Sequence, residues 1–172
     1  MTMNFLELTR SRYSVRSYQQ RPVEQDKLDR ILEAVRLAPS GSNRQPWKFV
    51  VVRDADVRQR LVPACSNQQF VGQAPVVVAG VGLMPDRLMR CDVPGDPVDV
   101  AIAMEHLALA AAAEGLGTCW IGAYYQDQVR EVLNIPDTVK IVQLMTLGYP
   151  ADEPRPKSRK PVEEIVCYDR WE

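Results

Sequence analysis

Hydrophobic residues recur along this chain at two spacings, and these spacings predict an alternation of helices and strands. An i, i+3, i+4, i+7 pattern runs from Leu28 to Val35 with charges between the apolar positions. It predicts an amphipathic helix that Pro22 opens and Pro39 ends. Shorter helices are predicted over residues 4–10, 54–62 and 126–133. The longest helix, over residues 98–114, is rich in alanine and apolar on most sides, so we expect it to be central and buried.

Runs of β-branched and aromatic residues predict strands over residues 47–52, 76–81, 118–122 and 139–147. The run at 76–81 is apolar throughout, which favours burial on both faces of the sheet. Residues 84–97 hold three prolines and several charges, and they are predicted to form a loop or lid. The whole pattern predicts an α+β fold in which helices pack in layers on a sheet.

The length of 172 residues and a hydrophobic content of 46% are typical of one globular domain, residues 1–172. The composition changes near residue 150. Residues 151–172 begin with prolines and basic side chains, which cannot build a core alone. We therefore expect this segment to be an extended tail that lies on another surface.

Charge and cysteine usage exclude several classes of protein. The formal net charge of −1 gives no support to binding of nucleic acid or of an anionic membrane. The four cysteines form no C-x-x-C pair and there is a single histidine, so no metal site is expected. Residues 1–10 lack the apolar core of a signal peptide, and no apolar run is long enough to span a bilayer. Free thiols then favour a cytoplasmic protein.

Two basic segments are candidates for holding a phosphate group. Arg12, Ser14 and Arg16 occupy alternate positions of a segment that is predicted to be extended, so they point the same way. A guanidinium fork matches two phosphate oxygens. The second segment, residues 157–160, contains Lys157 and Arg159. Taken singly, either cluster is more often solvated surface than a binding site.

The turn at residues 40–46 is a third candidate. It joins a helix to a strand and presents small hydroxyl and amide side chains beside exposed backbone N–H groups, which suits a planar ligand with polar edges. Composition alone supports a plain helix-to-strand connector equally well.

Five segments together resemble the nitroreductase family in order and spacing, from about residue 5 to residue 161. They are RYSVRSY at 12–18, APSGSNRQPW at 38–47, GLGTCWIG at 115–122, LGYP at 147–150 and KSRKP at 157–161. The second block is the most specific. The resemblance implies a three-layer sandwich with a central, mostly antiparallel sheet flanked by helices, and a C-terminal segment exchanged in a homodimer.

The resemblance also implies FMN, bound without a covalent link at a site that both subunits build. The implied phosphate and ribityl contacts are Arg12, Tyr13, Ser14, Arg16, Lys157 and Arg159. Asn67 or its neighbour Gln68 would reach the pyrimidine edge of the flavin. Trp120, Ile121 and Gly122 would run beside the ring, where the absence of a Cβ on Gly122 allows close approach. The partner chain would contribute Pro39, Ser40, Gly41, Ser42, Asn43 and Gln45.

The implied activity is reduction of nitroaromatics, quinones or flavins with NADH or NADPH, by hydride transfer in two ping-pong steps. The flavin would carry the chemistry, so no catalytic side chain is predicted. A specialised relative that fragments flavin or removes halogen is an alternative, and so is a module that binds FMN without turnover. The sequence contains no dinucleotide fingerprint that would decide between NADH and NADPH.

Overall fold

A computed structural model describes residues 4–171; residues 1–3 and 172, which belong to the predicted domain, lie outside the described part. The described chain contains a four-stranded antiparallel sheet in the order β1-β2-β4-β3. The strands are β1 (Trp47–Val52), β2 (Val76–Gly82), β3 (Gly117–Ile121) and β4 (Lys140–Gly148).

Six α-helices surround this sheet in the described residues. They are α1 (Phe5–Ser11), α2 (Gln25–Arg36), α3 (Ala55–Ala64), α4 (Phe70–Gln73), α5 (Gly95–Ala113) and α6 (Gln126–Leu133). Single 3-10 turns occur at Gly41–Asn43 and Val162–Glu164. Asn4 and Asp54 cap α1 and α3 by accepting hydrogen bonds from backbone N–H groups in the first turns, so both helices begin as the sequence predicts.

The core has two halves, one on each face of the sheet. One half packs α2 and α5 against the sheet around Met104, Leu107 and Met145. The other half packs α3 and α6 around Leu61, Val129 and Leu144. Every residue of β2 is buried, as its continuous apolar run predicts. The predicted α+β, three-layer architecture with an antiparallel central sheet is thereby confirmed.

The register of the sheet shows which residues of neighbouring strands are aligned at each of its two ends. Thr118 of β3 is aligned with Leu147 of β4 and then with Val76 of β2. At the other end, Trp47 of β1 is aligned with Gly82 of β2 and then with Lys140 of β4. The start of β3 and the start of β1 therefore lie at diagonally opposite corners of the sheet.

The largest differences from the predictions are the starts of two helices and one short helix that was not predicted; other bounds agree to within about three residues. Helix α2 begins at Gln25 rather than at Pro22, because Glu24 is the extended residue that precedes its first turn. Helix α5 begins at Gly95, so the predicted loop at 84–97 is wrong in its last three residues. Pro97 is compatible with that helix because the first-turn N–H groups have no partner within a helix. The short helix α4 was not predicted, since a single turn of four residues leaves no periodic pattern.

Residues near the N-terminus form bridges with β3 and with the residues that follow β4. Ser14 forms a parallel bridge with Thr118, and Tyr18 forms an antiparallel bridge with Pro150. Residues 153–171 are exposed throughout, including Ile165, Tyr168 and Trp171. Within residues 4–171, no helix combines the length and the apolar character that crossing a membrane requires.

Candidate functional site

The segment at residues 12–16 is held along the outer side of β3. The Val15 N–H donates to the carbonyl oxygen of Thr118 at 3.0 Å, and the Val15 side chain is fully buried. Side chains alternate along an extended segment, so burial of Val15 turns Ser14 and Arg16 away from the core. Both are at least partly exposed, as is Arg12.

The C-terminal tail folds back onto this same segment. Asp152 Oδ2 accepts a hydrogen bond from the Arg16 N–H at 2.9 Å, and the Tyr13 hydroxyl donates to the Asp152 carbonyl oxygen at 2.6 Å. Further along the tail, Lys157 Nζ donates to the carbonyl oxygens of Thr9 and Arg10. The tail and the N-terminal segment are therefore joined at two points.

Between these points lies a cavity of about 290 Å³, which we call the basic cavity. Its lining residues are Arg12, Tyr13, Ser14, Arg16, Asp152, Glu153, Arg155, Pro156, Lys157, Ser158 and Arg159. Basic side chains outnumber acidic ones in this lining. Desolvation, followed by the nearby charges of Arg12 and Arg159, lowers the pKa of Lys157. The cavity thus concentrates positive charge where an anion would relieve it.

A second group of predicted residues meets at the far end of β3. The Gln68 side-chain amide donates to the carbonyl oxygens of Cys65 at 2.9 Å and Ala123 at 3.2 Å. It thereby ties the loop at residues 66–69 to the chain that follows β3. Asn67 and Gly122 are exposed there, whereas Ile121 is buried in the core and Trp120 is half-buried.

Non-glycine residues with positive φ are concentrated in two of the predicted ligand loops. Of eight such residues in the described chain, five lie there: Ser42, Asn43, Gln45, Ser66 and Asn67. Each has φ between 50° and 58°, the left-handed region, which costs an L residue about 1–2 kcal/mol. Such strain persists only where the surrounding structure imposes it, and it is common at ligand-binding sites.

The loop at residues 39–45 does not meet the basic cavity within one chain. It precedes β1, whereas the basic cavity lies beside the start of β3 at the diagonally opposite corner of the sheet. Two strands separate β1 from β3, which places these edges roughly 14 Å apart at about 4.8 Å per strand. Within one chain, the predicted cofactor residues therefore fall into three groups, at the basic cavity, at the far end of β3 and in the 39–45 loop, and the loop lies away from the basic cavity.

Several residues of these areas were not predicted. Asp152, Glu153 and Arg155 line the basic cavity, and Asp99 accepts a hydrogen bond from the Gly41 N–H. Asp152 and Arg16 are 136 residues apart in sequence, so no local spacing reveals their contact. The sequence signal for a role of these tail residues is the proline-rich, basic composition of residues 150–161.

Among the described residues, no group of three or more His, Cys, Asp or Glu side chains could hold a metal ion.

Comparison with known proteins places this site in context. The model of the nitroreductase family matches residues 9–84 and 65–149. An NADH dehydrogenase from Thermus thermophilus is 32% identical over 188 residues, covering 91% of this chain and 92% of that protein. An FMN reductase [NAD(P)H] from Bacillus subtilis is 31% identical over 169 residues, covering 88% of this chain and 68% of that protein.

Solved structures agree with these sequence relationships. The crystal structure of a nitroreductase family protein from Clostridium difficile superposes with a TM-score of 0.88 at 31% sequence identity, covering 98% of this chain and 100% of that chain. The family model spans most of the sequence, and the solved structure matches over nearly the whole of both chains. The chain is therefore an oxidoreductase that belongs to the nitroreductase family.

Proposed function

We propose that the protein is an FMN-dependent NAD(P)H oxidoreductase that reduces nitroaromatics, quinones or flavins as a homodimer in the cytoplasm. The observation that carries this proposal is the basic cavity, in which side chains from both ends of the chain converge beside β3. The names of the relatives support it, since one is an NADH dehydrogenase and another an FMN reductase that uses NAD(P)H.

The basic cavity fits the phosphate end of FMN. Arg12 and Arg16 offer guanidinium forks, and Lys157 and Arg159 add two further charges from the tail. The Ser14 hydroxyl supplies a neutral donor between them. Desolvation first, and then the like charges of Arg12 and Arg159, lower the pKa of Lys157, and a dianionic phosphate would offset the repulsion among these charges.

The end of β3 fits the ring. A Cβ added to Gly122 would meet no atom within 4 Å, so the backbone there is open to close approach by a flat ligand. Asn67 is exposed beside it and would offer an amide to the polar edge of the ring. Bound at this place, FMN would supply the hydride transfer itself. The protein would position it, shield one face and leave the other open to nicotinamide and acceptor in turn.

Two features favour a site shared between two chains. Within one chain, the loop at residues 39–45 is separated from the basic cavity. The loop has a strained backbone and the cavity has charged side chains, and both features suit a ligand. In addition, Phe5 and Leu6 of α1 are exposed, as are Ile165 and Trp171 of the tail. Apolar side chains clustered at both chain ends are typical of surfaces that a partner covers. A second copy would cover them and bring its own 39–45 loop to the site.

The absorption spectrum of the purified protein tests this proposal. We expect a yellow protein with bound FMN whose visible absorption is bleached under argon by NADH, by NADPH or by both. Initial rates with a nitroarene should then give parallel double-reciprocal lines. A colourless protein that fails to take up added FMN would refute the proposal. A flavin that is bound but never bleached would instead identify a binding module, and loss of the flavin spectrum after aerobic turnover would identify a flavin-fragmenting enzyme.

A further inference from the structure

A buried ion cluster lies at the start of α5, outside the basic cavity. Asp96 and Asp99 are 2% and 3% exposed, and the Arg87 guanidinium lies between them. Arg87 pairs directly with Asp99 Oδ2, and its Nε is 3.8 Å from Asp96 Oδ1. Buried charges are tolerated only when they are paired and hydrogen-bonded, so Arg87 and Asp99, which are in direct contact, depend on each other.

Two glycines in the surrounding backbone, Gly82 and Gly95, leave room for the side chains of this cluster. A Cβ at Gly95 would lie 2.3 Å from the Arg87 guanidinium carbon, and a Cβ at Gly82 would lie 2.5 Å from Asp96 Oδ2. Either contact is far below van der Waals distance. The arrangement therefore requires small residues on both the strand and the helix, and it could not form with ordinary side chains at these positions.

Each carboxylate of the cluster holds a different segment of backbone. Asp96 Oδ2 accepts a hydrogen bond from the Met84 N–H at 2.6 Å, in the loop that follows β2. Asp99 Oδ1 accepts one from the Gly41 N–H at 2.9 Å. Gly41 also packs against Arg87, since a Cβ there would lie 3.3 Å from Arg87 Nη1.

The Gly41 contact ties the 40–45 loop to helix α5, which is distant from the loop in sequence. Other backbone N–H groups of the loop donate within it: Asn43 N–H to Ser40 O, Arg44 N–H to Gly41 O, and Gln45 N–H to Ser40 Oγ. At the end of the loop, the Gln45 carbonyl oxygen accepts a hydrogen bond from the N–H of Trp47, the first residue of β1. Three residues of the loop have left-handed backbone. Such a strained loop needs an external restraint, and a charged acceptor supplies a stronger one than a neutral group.

We propose that Asp99 is a positioning residue for the 40–45 loop, and that it preorganises this loop for FMN through the Gly41 N–H; this inference rests on the proposed function. Asp99 does not touch the ligand. Arg87 pairs with one carboxylate oxygen of Asp99, and the Gly41 N–H donates to the other. A loop held in its bound shape loses less conformational entropy when the ligand arrives.

Asp99→Ala tests this proposal, with Asp96→Ala as the matched control. Both carboxylates are buried on α5 and both neighbour Arg87, but only Asp99 contacts the 40–45 loop. We expect Asp99→Ala to weaken FMN binding about tenfold, measured by fluorescence titration of the folded, FMN-free protein, since a hydrogen bond to a charged group is lost. Asp96→Ala should change FMN affinity less than about threefold.

Hydrogen exchange gives a second readout that does not depend on the flavin. Amide exchange of residues 40–45 in the FMN-free protein should accelerate in Asp99→Ala and stay at the wild-type rate in Asp96→Ala. Asp99→Asn keeps an acceptor oxygen and should recover part of the FMN affinity. If Asp99→Ala does not fold, Asp99→Asn is compared with Asp96→Asn in both assays, with the same ordering expected.

Equal FMN affinities in the two variants, or exchange at residues 40–45 that Asp99 does not affect, would overturn the inference. Failure of the wild-type protein to bind FMN would refute the proposed function instead. In that case the exchange rates would still decide whether Asp99 anchors the loop.

Discussion

At the scale of single residues, Lys157 connects the two ends of the chain. Its ammonium group reaches the carbonyl oxygens of Thr9 and Arg10, which are 148 and 147 residues away, and it lines the basic cavity. Nothing in local sequence spacing pairs residue 157 with residue 12. The resemblance to a family, rather than any periodicity, predicts that both residues contact one phosphate group. In the structure both residues line the basic cavity.

Lys157→Gln should weaken FMN binding about tenfold, because one charge-assisted phosphate contact is lost. Riboflavin, which lacks the phosphate, should bind the variant and the wild type equally. Lys160→Gln is the control, since Lys160 is exposed and its nearest charge partner is Glu164 at 3.8 Å. Titration of both flavins by fluorescence quenching measures the difference. A loss of the same size for riboflavin would exclude a phosphate contact.

Glu24 gives a prediction of pH dependence. Hydrogen bonding from the Tyr149 hydroxyl at 2.7 Å, then from its own backbone and Arg21, lowers the pKa of Glu24 from 4.5 to about 2. A carboxyl group whose pKa is lowered on folding stabilises the fold above the unfolded-state pKa, and that stabilisation disappears as the pH falls to the folded-state pKa. Glu24→Gln should therefore be less stable than wild type at pH 6, with a difference that vanishes between about pH 4.5 and 2.

Urea unfolding at a series of pH values measures this difference for Glu24→Gln. The effect should be small because Glu24 is a surface group. Tyr149→Phe removes the largest cause of the shift, so the same Glu24→Gln change made in that background should show a weaker pH dependence. A Glu24→Gln difference that stays constant from pH 6 to pH 2 would contradict the lowered pKa.

At the scale of elements, the glycines at the two ends of β3 have opposite roles, since Gly117 begins the strand and Gly122 follows its last residue. A Cβ at Gly117 would lie 2.3 Å from Val15 Cγ2, whereas a Cβ at Gly122 would meet nothing within 4 Å. Gly117→Ala should therefore destabilise the fold by about 1–3 kcal/mol through overpacking. Gly122→Ala should change the free energy of unfolding by less than about 0.5 kcal/mol and yet weaken FMN binding.

Chemical denaturation and flavin titration of these two variants separate the roles. Gly117→Ala should lower the free energy of unfolding and also weaken FMN binding, because its Cβ would displace Val15, which lies between Ser14 and Arg16 of the basic cavity. Gly122→Ala should affect FMN binding alone. Normal FMN binding by Gly122→Ala would contradict the assignment of the ring to the end of β3.

Elements with a regular hydrophobic pattern were predictable, and those defined by remote contacts were not. Strand β1 and helix α6 have the predicted bounds, since β-branched runs and amphipathic spacing are local properties. The start of α5 was misread because Pro94, Gly95 and Pro97 are common in turns. In the folded protein Gly95 makes room for the Arg87 guanidinium, and that contact is not visible in the sequence pattern.

At the scale of the whole molecule, the exposed tail tests the proposed dimer. Burial raises the pKa of Cys65 to about 11 and raises that of Cys119, so neither thiol should react at neutral pH. Cys91 and Cys167 are both exposed in the single chain. If the tail packs on a second copy, Cys167 should become slow to label on dimerisation while Cys91 stays fast.

Labelling with a chromogenic disulfide over a range of protein concentrations, followed by mass spectrometry of each site, measures this protection. We expect labelling of Cys167 to slow by on the order of tenfold as dimers form. Sedimentation on the same samples establishes the oligomeric state. Dimers in which Cys167 and Cys91 label equally fast would show that the tail does not cover the partner.

The diagonal placement of the 39–45 loop and the basic cavity has a genetic consequence. If each pocket combines the loop of one chain with the basic cavity of the other, a loop defect in one chain and a cavity defect in its partner fall in the same pocket. A hybrid of a loop-damaged chain and a cavity-damaged chain would hold one pocket with both lesions and one with neither. Two inactive alleles expressed together would then restore turnover by complementation, which neither allele achieves alone.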